Sequence, residues 1–161
     1  MRFVKCDVFS WEDQLQLFKT AVSESPTNAI DIVVANAGIS GPDPLFETKG
    51  KSRQTFSESV DLDFNDILDT DEPEKPNLKI LDVNLVGVMY TLKLARHYFM
   101  KHPLDGNHDR CLIVNASLVG FLDVPGSLQY MASKWGCRAM VRCLRRTTMI
   151  DGVRANLVGP W

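Results

Sequence analysis

Several features that mark particular protein classes are missing from this sequence. No run of apolar residues approaches the roughly 20 that cross a bilayer, and the amino-terminal stretch MRFVKCDVFSWEDQ lacks the apolar core of a secretion signal. The formal net charge is only −2, so no overall field favours nucleic acid or an acidic membrane surface. We therefore expect a cytoplasmic protein with no nucleic-acid or membrane partner.

Cysteine and histidine are few and poorly spaced for a metal. The cysteines form no C-x-x-C pair, and the histidines show no spacing typical of zinc. We expect no metal site, and buried, reduced thiols rather than disulfides. The cysteines are Cys6, Cys111, Cys137 and Cys143, and the histidines are His97, His102 and His108.

Two kinds of apolar pattern alternate along the 161 residues, of which 45% are hydrophobic, enough for the core of one domain. Continuous runs such as IDIVVA predict strands buried on both faces, whereas apolar residues recurring every three or four positions predict helices. The first helix begins at a capping box, SWED. The predicted strands are 3–8, 30–35, 110–116 and 152–158, and the predicted helices are 11–24, 78–101 and 130–149. This order predicts an α/β fold, a parallel sheet with helices on both faces.

The stretch 41–77 has a different composition. Glycine and proline punctuate it, and 58–74 holds eight acids and no base. We expect a long surface loop, with one helical turn near 64–68. Two interpretations remain open: a lid or rim over a pocket, or a solvated insertion.

Polar, small or turn-forming residues directly follow each predicted strand. Asp7, the stretch 36–38, Ser117 and Pro160 come after the four apolar runs. Ligands of parallel sheets bind at the carboxyl ends of the strands. The sequence therefore predicts a ligand site along this edge.

Four motifs in order make the chain resemble the short-chain dehydrogenase/reductase (SDR) family. They are Asp7-Val8, Asn36-Ala37-Gly38, Asn84 in DVNLVG, and Ser117 thirteen residues before Tyr130 with Lys134 four further on. The Tyr-Lys pair alone is weak, but the joint spacing is specific. LDVNLVGVMYTLKLA and GSLQYMASKWG are similar to fungal-type, prostaglandin-dehydrogenase-like members. The resemblance covers nearly the whole chain and implies a single, partial Rossmann-like domain over 1–161.

The resemblance implies acid–base chemistry by Asn84, Ser117, Tyr130 and Lys134. A free phenol, with a pKa of about 10, is a poor base near neutrality, and a nearby ammonium favours the phenolate. Positions i and i+4 share a helix face, so Lys134 can stand beside Tyr130. By resemblance, Ser117 holds the substrate oxygen, and Asn84 supports a water that links Lys134 to solvent.

The resemblance also implies a cofactor, NAD or NADP, which the sequence does not distinguish. Asp7 is expected to accept from the adenine amino group, and Gly38 to let the backbone approach the nucleotide closely. Asn36 is expected to brace the neighbouring strand more than to touch the cofactor. The full predicted cofactor wall is Asp7, Val8, Asn36, Ala37, Gly38, Tyr130, Lys134 and Pro160.

Two features of the family pattern are missing from the sequence. The glycine-rich phosphate loop T-G-x-x-x-G-x-G, with the first two strands, would precede residue 1, and the last strand would follow Trp161. We expect either an incomplete or mis-spliced gene product, or a parent fold reduced to its catalytic half. The strand 3–8 would then pair directly with 30–35 or stay unpaired.

Two functions follow. The first is an NAD(P)-dependent oxidoreductase acting on a small alcohol or ketone; the apolar residues between Ser117 and Tyr130 favour an apolar or polyketide-like substrate. The second is a catalytically silent relative that acts as an interaction or regulatory domain. The resemblance also implies a homo-oligomer, with the helices 78–101 and 130–149 at the interface.

Overall fold

A computed structural model describes residues 2–41, 43, 75–101 and 109–161. Its centre is a three-stranded sheet in the order β1-β2-β3, formed by β1 (Ile32–Ala35), β2 (Arg110–Asn115) and β3 (Val153–Val158). Both pairings are parallel. The predicted Rossmann-like parallel sheet is thus confirmed, and each strand lies inside its predicted range.

The helices lie close to their predicted positions. The region predicted as one helix over 78–101 is a continuous helical run with a π-helical turn inside it, and this turn carries Asn84. A short 3-10 turn follows β2. The elements are α1 (Trp11–Glu24), α2 (Lys79–Leu81), the π-helical turn (Asp82–Val86), α3 (Gly87–Phe99), the 3-10 turn (Leu118–Gly120) and α4 (Leu128–Thr147).

The capping box predicted at the start of α1 forms only in part, because the Ser10 backbone N–H donates to the Asp7 carbonyl and not to the Asp13 side chain. The Ser10 side chain accepts from the Asp13 backbone N–H at 3.1 Å, and its hydroxyl donates to the Asp13 carboxylate at 3.1 Å. Phe18, on one face of α1, stacks on Tyr98 of α3 with ring centres 5.5 Å apart. The cap and this stacking fix α1 against α3 beside the sheet.

The core lies on one face of the sheet. The row Val33, Leu112 and Ala155 is buried, and α3 and α4 pack against it. On the opposite face, Ile32 is 62% exposed and Val34 is 52% exposed. The prediction that 30–35 is buried on both faces is therefore wrong within the described residues, because their helices contact only one face of this edge strand.

The predicted strand 3–8 does not form. Phe3 is 87% exposed, and Asp7 begins a turn in which its carbonyl accepts from Ser10 N–H at 3.0 Å. A strand needs a neighbouring backbone ladder, and among the described residues none lies beside this segment. Of the two outcomes expected for it, the unpaired one is found.

Several predictions fall partly or wholly outside the described residues. These include most of the loop 41–77 with the turn near 64–68, and His102 and His108. No described helix is long and apolar enough to span a bilayer, and no three metal-binding side chains converge within the described ranges. Burial of the cysteines is confirmed for Cys111 and Cys137 and is wrong for Cys143, which is exposed, and for Cys6, which is half-buried.

Candidate active site

Tyr130 and Lys134 stand on the same face of α4. Nζ of Lys134 lies 5.5 Å from the centre of the Tyr130 ring and donates a hydrogen bond to the Asn115 carbonyl at the end of β2, at 3.1 Å. Lys134 is only 5% exposed, whereas Tyr130 is half-buried. The helical spacing of four has therefore placed a buried ammonium against a phenol that solvent can reach.

The buried ammonium has hydrogen-bonding capacity left over. A lysine carries three N–H donors, and in the part of the chain that the structure describes one of them is used, by Asn115. Burying a charge is costly unless polar groups meet it. A sugar hydroxyl next to Lys134 would supply the missing acceptor, so this corner fits the ribose of a nicotinamide nucleotide.

Gly38 keeps the same corner open. A Cβ added there would lie 3.4 Å from Nζ of Lys134 and 3.3 Å from Oδ1 of Asn84. The glycine after β1 thus leaves room for the Asn84 amide and the Lys134 amine, which a side chain at position 38 would crowd. The structure places Gly38 and Asn84 beside Lys134, which in turn lies beside Tyr130.

Asn84 is fixed by its surroundings. It is 1% exposed, its Oδ1 accepts from Ile39 N–H at 2.8 Å, and its Nδ2 donates to the Ile39 carbonyl at 2.8 Å. Asn84 lies in the π-helical turn, and such turns are frequent at functional sites. Asn84 therefore ties the segment after β1 to the helical run that follows it.

Ser133 completes the cluster and was missed as a site residue in the sequence. It is fully buried, accepts from Nδ2 of Asn84 at 3.2 Å and donates to the Tyr130 carbonyl at 2.7 Å. Serine is unfavourable in a helix interior because it competes for backbone hydrogen bonds. A serine one residue before the lysine of a predicted helix was the available signal.

Ser117 and Pro160 lie at the ends of β2 and β3. Ser117 is 7% exposed, and its Oγ accepts from Val119 N–H at 3.3 Å. Leu118 N–H donates to the Pro160 carbonyl at 2.8 Å. Both residues thus occupy the carboxyl edge of the sheet, where the sequence placed them.

The remaining predicted cofactor residues are divided between two places. Val8, Asn36 and Ala37 line one apolar groove of about 340 Å³ along the free edge of β1. Oδ1 of Asn36 accepts from Nδ2 of Asn115 at 2.9 Å, which links β1 to β2. Asp7 is exposed in the turn before α1, where its Oδ1 accepts from Phe9 N–H at 3.0 Å; none of its described contacts reaches the Lys134 cluster.

The thiol nearest the cluster is a hydrogen-bond donor. Burial raises the pKa of Cys137, and the nearby Lys134 ammonium offsets part of that rise. Its Sγ donates to the Asn84 carbonyl at 3.3 Å. The Cys137 thiol is therefore held protonated, and the Lys134 ammonium is the charged group beside Tyr130. This arrangement favours proton transfer over thiolate chemistry.

Comparisons with known proteins show the family to which the chain belongs. The family model described as "short chain dehydrogenase" matches residues 1–161. A curated relative, 5'-hydroxyaverantin dehydrogenase of Dothistroma septosporum, is 36% identical over 100% of this chain and 50% of its own length. NADP-dependent dehydrogenase M3 of a Phoma species is 30% identical over 99% of this chain and 44% of its own.

A solved short chain dehydrogenase from Mycobacterium smegmatis superposes with a TM-score of 0.69 at 27% identity, over 98% of this chain and 53% of that one. The chain spans about half the length of the curated relatives it matches. Three observations agree: the sheet is parallel, the cluster lies at its carboxyl edge, and the family model matches residues 1–161. This chain therefore belongs to the short chain dehydrogenase family.

Proposed function

We propose that the cluster is the acid–base centre of an NAD(P)-dependent oxidoreductase that interconverts an alcohol and a ketone. The observation that carries the proposal is the buried Lys134 ammonium beside the Tyr130 ring. This arrangement sets a phenol, which can take and return a proton, beside a cation that can bind a sugar hydroxyl. A positioned group that transfers a proton is what a carbonyl–alcohol interconversion requires of its protein.

In this proposal the residues of the chain transfer the proton, and the cofactor transfers the hydride. In the oxidation, the Tyr130 oxygen accepts the hydroxyl proton of the substrate, and in the reduction it returns that proton to the carbonyl oxygen. Ser117 orients the substrate oxygen, while Lys134 holds the nucleotide ribose and Asn84 supports the path of the proton to solvent. When bound, the nicotinamide accepts or donates the hydride.

The surroundings of Ser117 favour an apolar substrate. Phe121 and Leu122 are 45% and 49% exposed, and Val124 is half-buried. A ring or chain of low polarity would cover these side chains and remove apolar surface from water. The name of the Dothistroma relative, a dehydrogenase of a hydroxylated compound, supports an alcohol substrate. Taking this together with the apolar side chains, we propose a polyketide-like compound of secondary metabolism.

The alternative is an inactive relative that works as an interaction domain. The exposed Ile32 and Val34 favour it, because they leave apolar surface on the open face of β1. Cofactor binding separates the two functions, since only the oxidoreductase needs it.

A homo-oligomer in the cytoplasm remains part of the proposal. Met89 of α3 and Trp135 of α4 are 46% and 41% exposed, on the two helices expected at the interface. Burial of such side chains is typical of contacts between copies. Analytical ultracentrifugation tests this, and a monomer at all concentrations rejects it.

The experiment is a fluorescence titration of the 161-residue chain with NADH and NADPH. We expect saturable enhancement of the nicotinamide emission, weakened by Lys134→Met because the ribose loses its donor. Lys93→Met, a change at an exposed lysine of α3, is the matched control and should leave the affinity unchanged. No binding at about 1 mM cofactor, an affinity weaker than about −4 kcal/mol, rejects the oxidoreductase and leaves the interaction domain.

A further inference from the structure

Asp43 and Gln129 form a buried polar pair at the start of the helix that carries Tyr130 and Lys134. Asp43 is 8% exposed and Gln129 is 1% exposed. Oδ2 of Asp43 accepts from the Gln129 backbone N–H at 2.7 Å, and Oδ1 accepts from Nε2 of the Gln129 side chain at 3.2 Å. Both carboxylate oxygens thus bind one residue, in charge-assisted hydrogen bonds that are shielded from water.

The pair replaces a local helix cap. The residue before α4, Ser127, makes no side-chain cap bond. The first backbone N–H groups of a helix need acceptors and carry partial positive charge. The Asp43 carboxylate meets both needs, although it lies far from α4 in the sequence.

Gln129 also joins two distant parts of the chain. Its Nε2 donates to the Asn77 carbonyl at 3.0 Å as well as to Asp43. Asp43 precedes the stretch 44–74, and Asn77 follows it. The residue next to Tyr130 therefore holds both segments, and two acceptors fix the orientation of its side-chain amide.

We propose that Asp43 is a positioning residue for Tyr130, through Gln129. Lys134 is held from the sheet by the Asn115 carbonyl, one turn further into the helix, so the amine does not depend on the helix start. Tyr130 is in the first turn, and helix ends fray unless they are capped. The 5.5 Å distance between the centre of the Tyr130 ring and Nζ of Lys134 then depends on the hydrogen bonds that Asp43 accepts. Only the importance of this placement for catalysis rests on the proposed function. The placement of the Tyr130 ring by Asp43 is independent of it.

The test is amide hydrogen exchange by NMR on the 161-residue chain, without cofactor. In Asp43→Ala we expect exchange at Gln129 to rise tenfold or more, because a buried charge-assisted bond is lost. Met131 N–H, bonded to the Ser127 carbonyl in the first turn, should follow it. Thr148 N–H, bonded to the Leu144 carbonyl at the far end, should change little. Asp43→Asn keeps one acceptor for the backbone N–H, as asparagine caps do, and should give an intermediate rise.

The ring of Tyr130 provides the readout that loss of stability alone would not give. With ¹³C-labelled tyrosine, the Tyr130 ring resonances should move in Asp43→Ala and return towards the native position in Asp43→Asn, while those of Tyr90 stay in place. Asp123→Asn, at an exposed acid in the loop before α4, is the matched control and should change neither measurement.

Exchange at Gln129 within twofold of the native chain overturns the proposal, as does an equal rise at Gln129 and Thr148. If the alanine variant does not fold, the same comparison of Asp43→Asn with Asp123→Asn decides. Because no cofactor is present, the outcome is separate from that of the NADH titration. A failed titration with the expected exchange pattern removes the proposed function and leaves the positioning of the ring.

Discussion

Asn84 binds the backbone of Ile39 with both ends of its side-chain amide, accepting from the N–H and donating to the carbonyl, each at 2.8 Å. These two bonds close the gap between the segment after β1 and the π-helical turn. The remaining Nδ2 hydrogen reaches Ser133 of α4 at 3.2 Å. One buried amide therefore connects three of the segments that surround Lys134. Its loss should lower the stability of the fold as well as disturb the site.

Asn84→Ala should lower the free energy of unfolding by about 2 kcal/mol, because buried hydrogen-bonding groups lose their partners. Urea denaturation followed by circular dichroism measures the change. Asn156→Ala, an exposed asparagine on β3, is the control and should stay within about 0.5 kcal/mol of the native chain. Equal effects of the two substitutions would contradict the bridging role of Asn84.

Tyr130→Phe removes the phenolic hydroxyl and keeps the ring over Lys134. Turnover of an alcohol substrate should fall by about 10²- to 10⁴-fold, the usual contribution of proton transfer, while NADPH affinity persists. Tyr90→Phe, at a half-buried tyrosine of α3 that packs edge-on to Trp11, should leave turnover unchanged. Undiminished turnover in the Tyr130 variant would refute its proposed role.

Gly87→Ala should destabilise the chain, since the new Cβ would lie 2.9 Å from the Val8 carbonyl oxygen. Overpacking costs about 1–3 kcal/mol, which outweighs the gain of about 1 kcal/mol in helix propensity. At Gly41 no atom of the described residues lies within 4 Å of an added Cβ, and the φ of Gly41 is not positive. Gly41→Ala should therefore be neutral or stabilising, by up to about 1 kcal/mol. Relative to the native chain, the melting temperatures of the two variants should shift in opposite directions or by clearly different amounts.

Stability should fall in acid through Asp13. The Asp7 backbone N–H and then the Ser10 hydroxyl hold the pKa of this carboxyl below its ordinary value of 3.8. A depressed folded-state pKa gives stability that is present above the unfolded pKa and is lost as the pH falls through the folded one. Melting temperatures measured from about pH 6 down to pH 2 should decline less steeply in Asp13→Asn than in Glu12→Gln, the control from the same turn. Parallel declines would show that the capping contacts do not titrate.

The sequence by itself determined the three strands that form, the main helices and the neighbourhood of Tyr130 and Lys134. Runs such as IDIVVA and RCLIVNA were strands, and three- and four-residue periodicity gave α1, α3 and α4, because local apolar pattern decides which backbone period can bury its side chains. Spacing of four on a helix placed Tyr130 beside Lys134 without reference to the rest of the chain. The roles proposed for Asn84, Ser117, Tyr130 and Lys134 remain predictions that the variants above test.

Only the tertiary structure decided the rest, because it depends on partners distant in sequence. The apolar run 3–8 has strand composition but no neighbouring ladder within the described ranges, so it forms no strand. Ile32 and Val34 are exposed because no described element packs on their side of β1. Ser133, the Asn115 carbonyl and the Asp43–Gln129 pair carry no motif of their own. Their importance comes from hydrogen bonds that exist only after β1, β2 and α4 have been brought together at one edge of the sheet.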